Sequence, residues 1–141
     1  MRVKAAVWLA LRNAIKTAGV ACQALPDGAT IETGESDYAP DVVMNCRAPM
    51  ADNATTAPNP TIIIEVLSPR TVASDTGAKL VDYFQVPSIA HYLIVHAITK
   101  WVITHHRRTS EGIDTRIVVA GKLVMDPPGI TITLEEIYDA G

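Results

Sequence analysis

A chain of 141 residues is the length of one domain, and at 48% hydrophobic against 19% charged it has the apolar material for a buried core. No apolar run approaches the ~18 residues of a membrane-spanning helix, which excludes that class. A net charge of −3 argues against indiscriminate nucleic-acid binding, but leaves room for a local basic groove or for an acidic site whose metal faces phosphates.

Val3, Val7, Leu11, Ile15 and Ala18 recur at helical spacing, and Gly19 is a natural C-terminal cap. Residues 2–18 therefore read as one amphipathic helix. Its basic-then-apolar start resembles a signal peptide, but Arg12 and Lys16 interrupt the apolar stretch and a small-residue cleavage site is missing. "VACQAL" reads as a short strand, "PDG" as a turn and "ATIET" as another short strand. The polar turn "GESDYAP" leads into "DVVMNC", a strand starting at Asp41. "RAPMADNATTAPNP" is a proline-punctuated loop. "TIIIEVL", residues 61–67, is a continuous β-branched run, the mark of a strand covered on both faces. Ser74 or Asp75 then caps a helix carrying Leu80, Tyr83 and Phe84, with Pro87 just beyond its end. "AHYLIVH" and "KWVITHH" form a hairpin across residues 97–99, and "IDTRIVVA" is a further strand. "MDPPGI" is a turn, and "TLEEIYDAG" a short last helix with Thr133 as cap. The order predicts an α/β (α+β) domain with a mixed central sheet. Cys22 and Cys46 lie in apolar strand-like stretches and read as core thiols of a reducing cytosol; spacing alone leaves a disulfide open. Neither has metal-ligand spacing, which argues against zinc.

The chemistry begins at Glu65. A carboxylate at the end of the most apolar strand costs several kcal/mol unless something positive meets it: an arginine, a lysine or a metal ion. Asp41 opens the preceding long strand, and strands adjacent in sequence are often adjacent in space. Two such acids would converge on one hard cation, and Mg²⁺ takes one or two carboxylates together with water and substrate phosphates. The ordinary alternative is turn chemistry at Pro40-Asp41 and a salt bridge from Glu65 to Arg47 or Arg70. Lys79 shares a helical face with Asp75 and Tyr83, so it either serves the hydrolytic site or pairs with Asp75 at i, i+4. Glu32, Glu35 and Asp37 are further ligands or plain loop charges. In "THHRR", His105 and His106 point to opposite faces of a strand, which argues against a two-histidine metal site; the segment reads as a phosphate contact or a solvated hairpin end. The sequence contains neither a glycine-rich phosphate loop nor a GxSxG elbow.

"YAPDVVM", "PTIIIEVLSPRTVASDTGAKLVDYFQVPSIAHYLIVHAITKWV" and "LVMDPPGITITLEEIY" together resemble the Uma-two family of restriction endonucleases, in the PD-(D/E)XK nuclease superfamily, over roughly residues 38–138. The resemblance implies one restriction-endonuclease-like domain over residues 1–141, a mixed β-sheet flanked by helices. It implies Asp41 and Glu65 as metal ligands and Lys79 as the catalytic lysine, supplied from the following helix because Leu67 stands where the superfamily motif has lysine. The implied chemistry is Mg²⁺- (or Mn²⁺-) dependent hydrolysis of DNA phosphodiester bonds, in the cytoplasm, with no membrane partner. A homodimer is the arrangement expected of nucleases that cut both strands. The chain departs from the family pattern by starting inside the first helix, as if truncated, and by carrying His96 where the family often has aspartate. The alternative is a catalytically inactive nuclease-fold remnant that binds DNA or a protein.

Overall fold

A computed structural model describes residues 2–27, 29–68 and 76–139. Helix α1 spans Arg2–Ala18, as its periodicity predicts, and buries Val7, Ala10, Leu11 and Ala14 along one stripe. Gly19 ends it at φ 69°, with its N–H donating to the Ile15 carbonyl at 2.9 Å. This left-handed cap suits a residue without a β-carbon.

The strands follow in chain order: β1 (Cys22–Leu25), β2 (Ile31–Glu32), β3 (Asp37–Tyr38), β4 (Val42–Cys46) and β5 (Pro60–Leu67). After helix α2 (Thr76–Tyr83) come β6 (His91–His96), β7 (Val102–Thr109), β8 (Gly112–Val118), β9 (Lys122–Met125) and β10 (Ile130–Thr133), then helix α3 (Leu134–Tyr138). Six of them form one sheet in the order β1-β4-β5-β6-β7-β8. Only its β5–β6 pair is parallel. A parallel step needs a crossover, and α2 lies within it.

β5 explains its own composition. Ile62, Ile64 and Val66 enter a core shared with α1, β9, β10 and α3. Ile63 enters a second core with Tyr83, Ile89, Tyr92 and Ile94. Because side chains alternate, both faces of this central strand are covered and every residue from Pro60 to Val66 is buried.

Three readings need amendment. The "MDPPGI" turn is flanked by a β9–β10 ribbon that the sequence reading left out, with Leu123, Met125, Ile130 and Ile132 turned into the core. Asp37–Tyr38, read as part of a turn, pairs with Ile31–Glu32. The two cysteines are not core thiols: β1 and β4 set Cys22 directly opposite Cys46, and they form a disulfide with Cα atoms 4.0 Å apart. The expected caps Ser74 and Asp75 lie outside the described residues. Thr133 does cap α3, in a reciprocal capping box with Glu136.

His91 ties the sheet to the β9–β10 turn. It is 3% exposed, donates from Nε2 to the Pro127 carbonyl at 2.7 Å, and stacks on His106 at 4.4 Å. Burial, seconded by the His106 ring, lowers its pKa from 6.5 to about 4. The unfolded chain therefore takes up a proton near pH 6.5 that the folded chain refuses until about pH 4. This contribution is complete above pH 6.5 and fades as pH falls towards 4, a loss of about 3 kcal/mol. His91→Gln keeps a donor for Pro127 but does not titrate in this window. Urea unfolding between pH 7 and pH 4.5 should destabilise the wild type by about 2 kcal/mol more than this variant. Parallel pH curves for the two proteins would dismiss His91 as the titrating group.

Candidate active site

Asp41 stands immediately before β4. The register Val42↔Ile64 brings it alongside Glu65 at one end of the sheet. Its Oδ2 accepts the Val66 N–H at 2.7 Å, supplying an acceptor beyond the start of β4. Its Oδ1 meets the Lys4 ammonium of α1 at 3.1 Å. The Asp41 side chain keeps 26% of its surface open to solvent.

Glu65 is 6% exposed and fully engaged. Lys79 reaches its Oε1 at 3.1 Å, the Tyr83 hydroxyl donates to the same oxygen at 3.2 Å, and the Tyr92 hydroxyl donates to Oε2 at 2.8 Å. Lys79 and Tyr83 are one helical turn apart on α2, which is why both arrive on the same carboxylate. Burial first, and then the Glu65 charge, pushes both tyrosine pKa values upward. The hydroxyls keep their protons and act as donors. Asp41 contributes a smaller push in the same direction on Tyr83, so that hydroxyl senses both acids.

The aromatic wall continues outward. The Tyr83 ring lies 5.0 Å from Tyr92 and 5.2 Å from Tyr38, centroid to centroid. The Tyr38 hydroxyl donates to Asp82 Oδ2 at 2.5 Å, and the Lys79 ammonium sits 5.8 Å from the Tyr38 ring centre. This packing fixes the rotamers around Glu65 and leaves Lys79 partly open, at 24% side-chain exposure.

Among the described residues, a lysine and two hydroxyls meet the Glu65 charge. Arg47, weighed as its partner, follows Cys46 at the far end of β4, and Arg70 lies outside the described residues. Asp75, the alternative partner of Lys79, also lies outside them. Of the additional acids, Glu32 accepts from the Thr56 hydroxyl at 3.2 Å, while Glu35 and Asp37 are exposed.

The "THHRR" segment is structural on most of its members. His105 Nδ1 meets the Thr115 hydroxyl at 2.8 Å, and His106 stacks on His91. Arg107 donates to the Phe84 and Val86 carbonyls at 2.8 and 3.0 Å, tying β7 to the segment after α2. Arg108 pairs with Asp114 at the exposed end.

Two neighbours of these acids escaped the sequence reading. Lys4 lies in α1 beside the apolar stripe, and nothing in local spacing links it to residue 41. Tyr92 carried a weak signal: a polar-tipped aromatic inside an otherwise aliphatic strand needs a buried acceptor.

The donor set suits a hard divalent cation. Among the described residues no three His, Cys, Asp or Glu side chains gather as a closed metal cage. The β4–β5 register sets two carboxylates alongside each other at the sheet end, each drawing an ammonium to 3.1 Å. A carboxylate offers about four lone-pair positions, and Asp41 uses two of them here. The spare oxygen capacity and partly open side of Asp41 match the habit of Mg²⁺, which keeps waters and takes substrate phosphate oxygens.

A six-stranded mixed sheet flanked by helices is a restriction-endonuclease-like fold. A solved structure shares it: "a putative nuclease belonging to DUF820 from Anabaena variabilis" superposes with a TM-score of 0.74 at 13% identity, covering 98% of this chain and 79% of that one. The chain belongs to the Uma2 family, whose model, described as "Putative restriction endonuclease", matches residues 2–135. A relative in Synechocystis sp., the uncharacterized protein slr1290, is 25% identical over 124 residues, covering 79% of this chain. The match spans 65% of that relative's length.

Among the described residues, no helix is long and apolar enough to cross a membrane.

Proposed function

We propose that this chain is a metal-dependent endonuclease that hydrolyses DNA phosphodiester bonds, with Asp41 and Glu65 holding Mg²⁺ or Mn²⁺ and Lys79 as the catalytic lysine. The observation that supports it is the β4–β5 register, which sets Asp41, just before β4, alongside Glu65 of β5, together with the ion pair from Glu65 to Lys79 of α2, in a chain of the Uma2 family. A divalent ion bound there would supply Lewis-acid stabilisation of phosphate charge and make a water a better nucleophile at neutral pH. Tyr83 and Tyr92 hold the Glu65 carboxylate in one orientation by donating to separate oxygens. Val66 N–H does the same for Asp41. The Lys79 ammonium, anchored on Glu65 and partly open, can turn a proton donor towards an attacking water or the charge developing on a phosphate oxygen.

A second reading rests on the same ion pairs. Lys4 and Lys79 already neutralise the two acids, which a non-cutting remnant that binds DNA or a protein would also need. Isothermal titration separates the two. The nuclease reading predicts Mn²⁺ binding in the micromolar-to-millimolar range that disappears in Asp41→Asn. Absence of binding in the wild type supports the remnant. A cytoplasmic location goes with a DNA substrate, and there the Cys22–Cys46 bond faces reducing thiols. Cutting both strands would call for a two-fold homodimer.

A further inference from the structure

Lys4 is outside the Asp41–Glu65–Lys79 set, yet its ammonium is shared between Asp27 Oδ1 at 3.0 Å and Asp41 Oδ1 at 3.1 Å. The two acids differ in setting: the Asp27 side chain is 68% exposed and the Asp41 side chain 26%. The other Asp41 oxygen is taken by the Val66 N–H. The ammonium therefore covers the carboxylate oxygen that has no backbone donor among the described residues.

We propose that Lys4 is a built-in competitor for divalent metal at Asp41, holding the carboxylate in the metal-free protein and withdrawing onto Asp27 when a cation binds. This rests on the reading of Asp41 as a metal ligand. An ammonium and a divalent ion on one oxygen repel each other, so one of them must leave. Asp27 makes the withdrawal short, because Lys4 keeps one ion pair while giving up the other. The exchange also explains how an acid can wait near a protein surface without a metal and still avoid attracting other cations of the cell.

The test is Mg²⁺ and Mn²⁺ affinity measured by calorimetry without DNA, on the wild type, Lys4→Met, Lys4→Gln and Lys4→Arg. Removing the competing charge in the first two variants should tighten binding about three- to tenfold. Lys4→Arg keeps the charge and should bind as the wild type does. Saturating Mg²⁺ should also raise the melting temperature of Lys4→Met more than that of the wild type, since a ligand stabilises in proportion to its affinity. Melting of the metal-free variants shows whether each is folded. Equal or weaker metal binding in both Lys4→Met and Lys4→Gln overturns the proposal while leaving Asp41 as a ligand. If neither the wild type nor any variant binds metal, the metal reading itself falls, and the Lys4 proposal with it.

Discussion

Asp41→Asn, Glu65→Gln and Lys79→Met are each expected to slow metal-dependent cleavage of supercoiled plasmid by about 10²- to 10³-fold. The three should fail for different reasons. Asparagine at position 41 keeps an oxygen for the Val66 N–H but loses the charge, so metal affinity drops along with the rate. Glutamine at 65 keeps acceptors for Lys79 and a tyrosine, and loses the charge in the same way. Methionine at 79 keeps the aliphatic stem and removes the ammonium, so the rate falls while metal binding stays near that of the wild type or rises. A gel assay of nicked and linear plasmid, read beside a Mn²⁺ titration of each protein, separates these patterns. A Lys79→Met protein that cuts at the wild-type rate would remove lysine from the chemistry and leave it as the counter-ion of Glu65.

The second large effect concerns stability. Glu65→Leu is expected to lower unfolding free energy by about 2–4 kcal/mol, because it removes the ion pair with Lys79 and leaves two buried hydroxyls without their acceptor. The lower end allows for Lys79 turning into water, since its side chain is 24% exposed. Tyr83 and Tyr92 are fully buried and have no such escape. Glu65→Gln, which keeps an acceptor and nearly the same volume, should lose only about 1 kcal/mol. For a chain of this size the leucine variant should melt roughly 10 °C lower, checked by circular dichroism at fixed pH and salt. If leucine is as stable as glutamate, the network is an indifferent ornament of the fold and its members need another explanation.

Glu65 shows what a sequence makes legible. A charge ending an Ile-rich run cannot be left bare, so the need for a partner was readable from residues 61–67 alone. Its salt-bridge partner was not: the residues suggest Arg47 or Arg70 for Glu65 and Asp75 for Lys79, because helical spacing relates Lys79 to Tyr83 but not to β5. Asp41 followed from strand adjacency. The long apolar strand, the first helix with its Gly19 cap, the β6–β7 hairpin and the Thr133 cap are all local patterns, and each formed where its own residues dictate. What stayed hidden depends on tertiary approach. Lys4 reaches Asp41 only because α1 packs across the sheet, and Tyr92 meets Glu65 only because β6 runs parallel to β5. The Cys22–Cys46 bond needs the β1–β4 register, which no spacing rule gives. The β9–β10 ribbon was missed because Pro127, Pro128 and Gly129 break the alternation of Leu123, Met125, Ile130 and Ile132 into two fragments too short to read as strands.

The most direct measurement is cleavage of supercoiled plasmid by the wild-type chain over a Mg²⁺ or Mn²⁺ series, with a chelator arm. The account predicts nicks that rise with metal, vanish in EDTA and return when metal is restored. Plasmid that stays intact at every metal concentration, or is cut equally well in EDTA, would contradict it.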